Sequence, residues 1–167
     1  MLKRLTILLS FLMTLSSHVA AQDARIGAIA AARGNYANEL YANELQEWKP
    51  KAEDGDSVFQ FGLGLIYRDA IGVYQDHKEA VKWFRLASEQ GHTMAQNSLG
   101  FSYENGHGVP QDNVMAYMWF NIAAANGDTP GGTNREIMSR KMTLAAIEKA
   151  QAMARECMSS GYTKCGY

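Results

Sequence analysis

The chain repeats itself at an offset of 36 residues, and nothing else in it constrains the fold as strongly. Gly55-Asp56-Ser57-Val58-Phe59-Gln60 aligns with Gly91-His92-Thr93-Met94-Ala95-Gln96. Leu63-Gly64 aligns with Leu99-Gly100, Tyr67 with Tyr103, Gly72-Val73 with Gly108-Val109, and Gln75-Asp76 with Gln111-Asp112. Ala80, Trp83, Phe84 and Ala87 then meet Ala116, Trp119, Phe120 and Ala123, and Gly91 recurs at Gly127, where a third unit begins. A unit of this length cannot bury its apolar face alone, so neighbouring units must stack into one continuous core.

Within each unit the periodicity is that of two antiparallel helices. Ala95, Leu99, Gly100 and Tyr103 fall on one helical face, and Ala116, Trp119, Phe120 and Ala123 on another. Alanine and glycine on these faces let two backbones approach, while the aromatic rings fill the space between hairpins. Gly106 and Gly108 supply the positive φ angles that end the first helix. Asp112 stands where a carboxylate caps the second helix, and Asp76 does so in the first copy, with Glu79 completing a capping-box pair. Gly91 and Gly127 sit just past a helix end, the usual place for a terminating glycine.

The pattern resembles the Sel1-like repeat family, a relative of the tetratricopeptide repeats. The family's Ala-Gln, Leu-Gly, Tyr, Gly-x-Gly-Val, Gln-Asp, Ala-x-x-Trp-Phe and Ala-x-x-x-Gly positions run from Ala95 to Gly127 without a gap. The resemblance implies an all-α fold, a short α-α superhelix (solenoid) of helical hairpins with capping helices at both ends. The first copy departs twice, with Phe59 in place of a small residue and Ala70 in place of the first loop glycine. The phenyl ring must displace the preceding hairpin or fill a gap it leaves. Ala70 makes a left-handed turn costlier by roughly 1 kcal/mol, so the first loop is expected to differ in shape from the second.

The repeats occupy 55–90 and 91–126, and the flanking segments 22–54 and 127–158 read as caps. Upstream, Ala24 to Ala32 reads as a helix of small residues broken by Gly34, and Tyr36 to Ala52, with Trp48, as a second helix. Tyr36-Ala37-Asn38-Glu39-Leu40 is repeated at once as Tyr41-Ala42-Asn43-Glu44-Leu45. Five added residues rotate a helical face by a net ~140°, so only the second copy is expected to pack with Trp48. Downstream, Thr133-Asn134-Arg135-Glu136 reads as a capping box opening a short helix. Thr143 caps a last helix, with Ile147, Ala150, Ala154 and Cys157 along one side. Residues 159–167 form a tail.

Residues 1–21 carry the three parts of a secretory signal. Lys3 and Arg4 precede an apolar run from Leu5 to Leu15, and Val19 and Ala21 set a cleavage site before Gln22. Gln22 is not the cysteine of a lipoprotein. The alternative, an uncleaved membrane anchor, conflicts with the shortness of the run against the ~20 residues a spanning helix needs. The expected location is therefore periplasmic or secreted, with no stable membrane insertion after cleavage. Removing these residues leaves 14 basic against 17 acidic residues, a balance that argues against nucleic acid as a partner. The two cysteines, Cys157 and Cys165, are either a disulfide suited to an oxidising compartment or two free thiols with Cys157 packed on a helix face.

No catalytic or cofactor motif survives its structural context. Gly55-Asp56-Ser57 is the tripeptide of some esterases, but it opens a helix inside a repeat and its second copy reads Gly91-His92-Thr93. His77, His92 and His107 read as surface residues beside loops, without metal-ligand spacing. Gly106-x-Gly108 follows no strand and lacks the rest of a phosphate loop. Trp83, Phe84, Trp119 and Phe120 recur in register at helical spacing and read as core, not as the lining of a ligand pocket. The expectation is no enzyme, no cofactor and no metal.

Two functions follow. The resemblance implies a scaffold that offers one helix of each unit to a protein or peptide partner of unknown identity. The alternative is an accessory that binds or processes peptidoglycan or exopolysaccharide, which needs paired carboxylates or an exposed aromatic platform. Glu104 and Asp112 lie near one loop and are the nearest approach to such a pair.

Overall fold

The computed structural model describes residues 45–166, which belong to one compact unit. The expected signal, the helix at Ala24 to Ala32 and the first copy of the duplicated pentapeptide lie outside the described residues. Seven helices and no strand occur among the described residues. They are α1 (45–53), α2 (Ser57–Asp69), α3 (His77–Ser88), α4 (Thr93–Asn105), α5 (Asn113–Ala125), α6 (Thr129–Ser139) and α7 (Leu144–Ser159).

The helices begin where the repeat dictates. Asp56 accepts hydrogen bonds from the amides of Val58 and Phe59, and His92 Nδ1 accepts one from Ala95 N at 3.3 Å. Asp128 accepts one from Gly131 N at 2.7 Å. These three caps stand 36 residues apart, so α2, α4 and α6 open in strict register. The second helices are capped by Asp76 and Asp112, each bonding the amides two and three residues on. A carboxylate or ring nitrogen at this position satisfies amides that have no intrahelical partner.

Packing follows the same period. α2 pairs with α3 and α4 with α5 as hairpins, and α3 meets α4 across the junction. Phe84 and Phe120 are fully buried, each lying on a glycine of the facing helix, Gly64 and Gly100. A Cβ at either glycine would stand inside the ring, so the register glycines set how closely the two helices of a hairpin approach. Leu63 and Leu99, Ala80 and Ala116, Trp83 and Trp119, and Ala87 and Ala123 are buried, and Tyr103 nearly so. A buried glutamine clamps each of the first two junctions. Gln60 Nε2 donates to Ala52 O at 3.0 Å and its Oε1 accepts from Gln90 Nε2 at 2.7 Å. Gln96 repeats this with Ser88 O at 3.3 Å and Asn126 Nδ2 at 2.9 Å.

Several expectations are corrected. Ala70 adopts φ 58° and ψ 38°, and Gly106 φ 70° and ψ 27°. Ile71 N bonds Ile66 O at 3.0 Å and Asp76 N bonds Tyr67 O at 3.0 Å, matching His107 N to Ser102 O and Asp112 N to Tyr103 O at 2.9 Å each. The two loops therefore share one shape, because the two shared backbone hydrogen bonds outweigh the steric cost of one methyl group. Glu79 pairs with Lys82 at 3.1 Å and does not close a capping box, since Asp76 N is already bound to Tyr67 O. Thr133 opens no helix. α6 begins four residues earlier, at the register position, with Pro130 in its first turn, and Thr133 Oγ1 bonds Thr129 O inside it. Phe59 packs edge-on against Trp48 at 5.9 Å, filling space at the upstream junction. Leu45, from the second pentapeptide copy, joins the same cluster.

The C-terminal part breaks the pattern. α6 has the register of a first helix, yet α7 packs on α5 instead of forming a hairpin with α6. α7 starts at Thr143, whose Oγ1 accepts from Ala146 N, and buries Ala150, Ala154 and Cys157. Cys157 and Cys165 form a disulfide. The tail also docks through Tyr162, whose hydroxyl accepts from Asn126 Nδ2 at 2.8 Å and whose ring lies against Gly91.

Candidate functional site

Two clefts open beside the first helices, at the α1–α2 and α3–α4 junctions, and they are the same cleft in successive units. The upstream one, about 300 Å³, is lined by Trp48, Val58, Phe59, Phe61, Gly62, Leu65, Ile66 and Ile71. The downstream one, about 230 Å³, is lined by Arg68, His77, Ala80, Phe84, Ser98, Phe101, Ser102, Asn105 and His107. Trp48, Gly62, Leu65, Ile66 and Ile71 each stand 36 residues before Phe84, Ser98, Phe101, Ser102 and His107. The geometry is held constant by the repeat while the chemistry changes. Ile66 and Ile71 make the first cleft apolar, and Ser102 and His107 make the second polar.

The second cleft is a cluster of donors. Arg68 gives Nε and Nη2 to the two oxygens of Asp69 at 2.7 Å each, and its Nη1 has no partner among the described residues. The guanidinium, aided by the charge of His77, holds the Asp69 carboxyl below its usual range. The rings of His77 and His107 stack at 4.6 Å and 9°. Gly108 makes that stack possible, since a Cβ there would collide with the His77 carbonyl. Ser102 Oγ is turned to Ser98 O at 3.0 Å, and Asn105 Nδ2 to Phe101 O at 2.9 Å, which leaves the Asn105 carbonyl oxygen as acceptor.

Four of the exposed apolar residues obey the register too, whereas Tyr74, Leu86 and Leu144 stand outside it. Val58 and Met94 are 63% and 51% exposed at the second position of α2 and α4. Phe101 and Ile137 are 46% and 45% exposed at the ninth position of α4 and α6, where Leu65 is half-buried in α2. Positions seven residues apart share a helical face, so each first helix presents the same apolar stripe. Scattered exposed apolar residues are ordinary, but recurrence at two register positions is not.

The other sequence candidates have structural work. Asp56 and Ser57 open α2, with the Asp56 carboxylate engaged as its cap. Asp112 caps α5, and Glu104 pairs with Lys141 at 2.9 Å, so they form no free carboxylate pair. His92 is not a plain surface residue. It caps α4, its ring stacks on Phe61 at 4.7 Å, and burial holds its pKa down. Trp83 and Trp119 are core, whereas Trp48 is half-buried in the first cleft. Sequence reading missed Arg68, Ser98, Phe101 and Ser102. The signal lay in positions where the copies differ, and alignment had drawn attention to positions where they agree.

An all-helical stack of hairpins with equivalent clefts at successive junctions defines an α-α repeat protein. The Sel1 repeat family model matches residues 57–92 and 93–128, so the chain carries two Sel1 repeats. It is similar to c5321, a protective antigen of uropathogenic Escherichia coli with an SLR fold. The TM-score is 0.67 and the identity 31%, over 71% of this chain and 26% of that one. It is also similar to a Sel1 repeat protein from Oxalobacter formigenes, with a TM-score of 0.49 and 38% identity over 50% of this chain and 63% of that one. The chain thus spans about a quarter of the first protein's length. No curated protein matches it. Sel1 repeats are typically protein–protein interaction scaffolds.

Proposed function

We propose that this protein is a non-catalytic scaffold of the bacterial periplasm or exterior, docking a protein or peptide partner on the exposed face of its first helices. The observation that carries this reading is the register of exposed apolar residues, Val58 with Met94 and Phe101 with Ile137. Apolar side chains left largely in water recur on one face, as expected where a surface meets a partner. The compartment rests on the charged start, the apolar run and the small residues before Gln22, and the disulfide suits it. The absence of catalysis is supported by the engagement of Asp56, Asp112 and Glu104 in caps and an ion pair.

The test is photo-crosslinking in cells from a reactive residue placed at Met94, with Glu148 as an off-face control, followed by mass spectrometry of the captured species. One dominant protein captured from Met94 and not from Glu148 is the expected result. Recovery of glycan fragments alone would move the function to an envelope-polysaccharide accessory.

A further inference from the structure

We infer that the two clefts are a paired subsite for a peptide, the first taking a bulky apolar side chain and the second an acidic one. This rests on the scaffold reading above and names its partner's chemistry. The argument is the contrast between equivalent positions. A repeat that only had to pack could carry the same residues twice, as it does at Leu63 and Leu99 or Phe84 and Phe120. At the cleft positions it instead carries Gly62, Ile66 and Ile71 in one unit and Ser98, Ser102 and His107 in the next.

Each set has one fitting occupant. The first cleft offers Trp48, Phe59, Leu65 and Ile71, with no charged side chain in its lining, so an apolar group gains there by leaving water. The second has the Arg68 guanidinium as its one charged lining residue, with two imidazoles, two serines and an amide around it. Among the described residues Arg68 Nη1 has no partner while Asp69 fixes the rest of the group, and this presents a pre-positioned donor to a second carboxylate. Phe101, half-exposed on the rim of the second cleft, is shaped to cover the stem of that acidic residue. The motif expected is therefore an extended segment that carries an apolar and an acidic residue, and repeats of such a motif offer the pair at several spacings.

The full chain is titrated with fluorescein-labelled dodecapeptides of three repeats each: Leu-Ser-Ser-Glu, Leu-Ser-Ser-Lys, Leu-Ser-Ser-Leu and Ser-Ser-Ser-Glu. Anisotropy reads binding, and Trp48 emission reads filling of the first cleft. Leu-Ser-Ser-Glu is expected to bind best and to shift Trp48 emission. Phe101→Ser and Arg68→Gln should each weaken it on the order of tenfold. The paired change Ser102→Ile and His107→Ile, which gives the second cleft the two isoleucines of the first, should shift the preference toward Leu-Ser-Ser-Leu. Equal binding of the Glu and Lys peptides would overturn the inference, as would an unchanged preference in the paired variant. So would binding of no peptide, including the case in which the face proves covered by a second copy of the chain at equilibrium sedimentation. Any of these results alongside a protein captured from Met94 sinks the peptide chemistry alone, and capture of no protein sinks the scaffold reading beneath it.

Discussion

His92 does in α4 what Asp56 and Asp128 do in α2 and α6, but with a group that titrates near neutrality. Its Nδ1 must be unprotonated to accept from Ala95 N, and burial lowers its pKa in the folded state. The unfolded chain therefore binds the proton more readily. The stability that the neutral ring contributes is complete above the ordinary histidine pKa and is lost as pH falls through and below it. Melting temperature should drop between pH 7.5 and 5.5, and His92→Asp, which restores the cap of the sister helices, should flatten that slope. A slope unchanged in the variant would assign the effect to other groups. That position 92 is a cap was readable by aligning it with Asp56, but imidazole has two roles and the alignment alone did not choose. Ala70 teaches the converse. Its side chain argued for a different loop, and the backbone hydrogen bonds of Ile71 and Asp76 overruled it.

At the scale of elements, local signatures lost to the period. Thr133-Asn134-Arg135-Glu136 has the composition of a capping box, yet α6 opens at Asp128 because the preceding hairpin ends there as it does at Gly55 and Gly91. Gly131 lies under Ala123, where a Cβ would approach to 2.8 Å, and this locks the early start. Asp128→Ala should cost about 0.5–2 kcal/mol in chemical denaturation. Thr133→Ala, at an exposed helix position, should change it by no more than about 0.5 kcal/mol. Equal losses would restore the capping box. The second helices and the aromatic core were legible because each side chain there meets a copy of the same neighbour. α7 was legible as a helix but not in its placement, since nothing in its own residues says that α5 and not α6 is its partner.

For the whole molecule, the tail is more than a tether. The disulfide closes a short loop and brings Tyr162 onto Asn126, which also holds the Gln96 clamp. By loop closure alone the bond contributes about 2–3 kcal/mol, so a thermal melt under a dithiol reductant should fall by several degrees. Cys165→Ser should do the same and should speed amide exchange at Asn126. Exchange unchanged at Asn126 would confine the bond's effect to the tail. The two clefts show how far the sequence reaches. It disclosed the scaffold that builds them, because scaffolds are made of sameness. It concealed their use, because Ser98, Ser102 and His107 carry no pattern except their departure from Gly62, Ile66 and Ile71.

The glutamine clamp has one more consequence. Each unit carries both halves of its own fastening, a buried glutamine that grips the unit before it and a terminal amide that holds the glutamine in place. Such a chain grows by whole links. A duplicated link spliced in at the boundary between residues 92 and 93 would arrive with its lock already cut to fit, and with one more blank recess for selection to furnish.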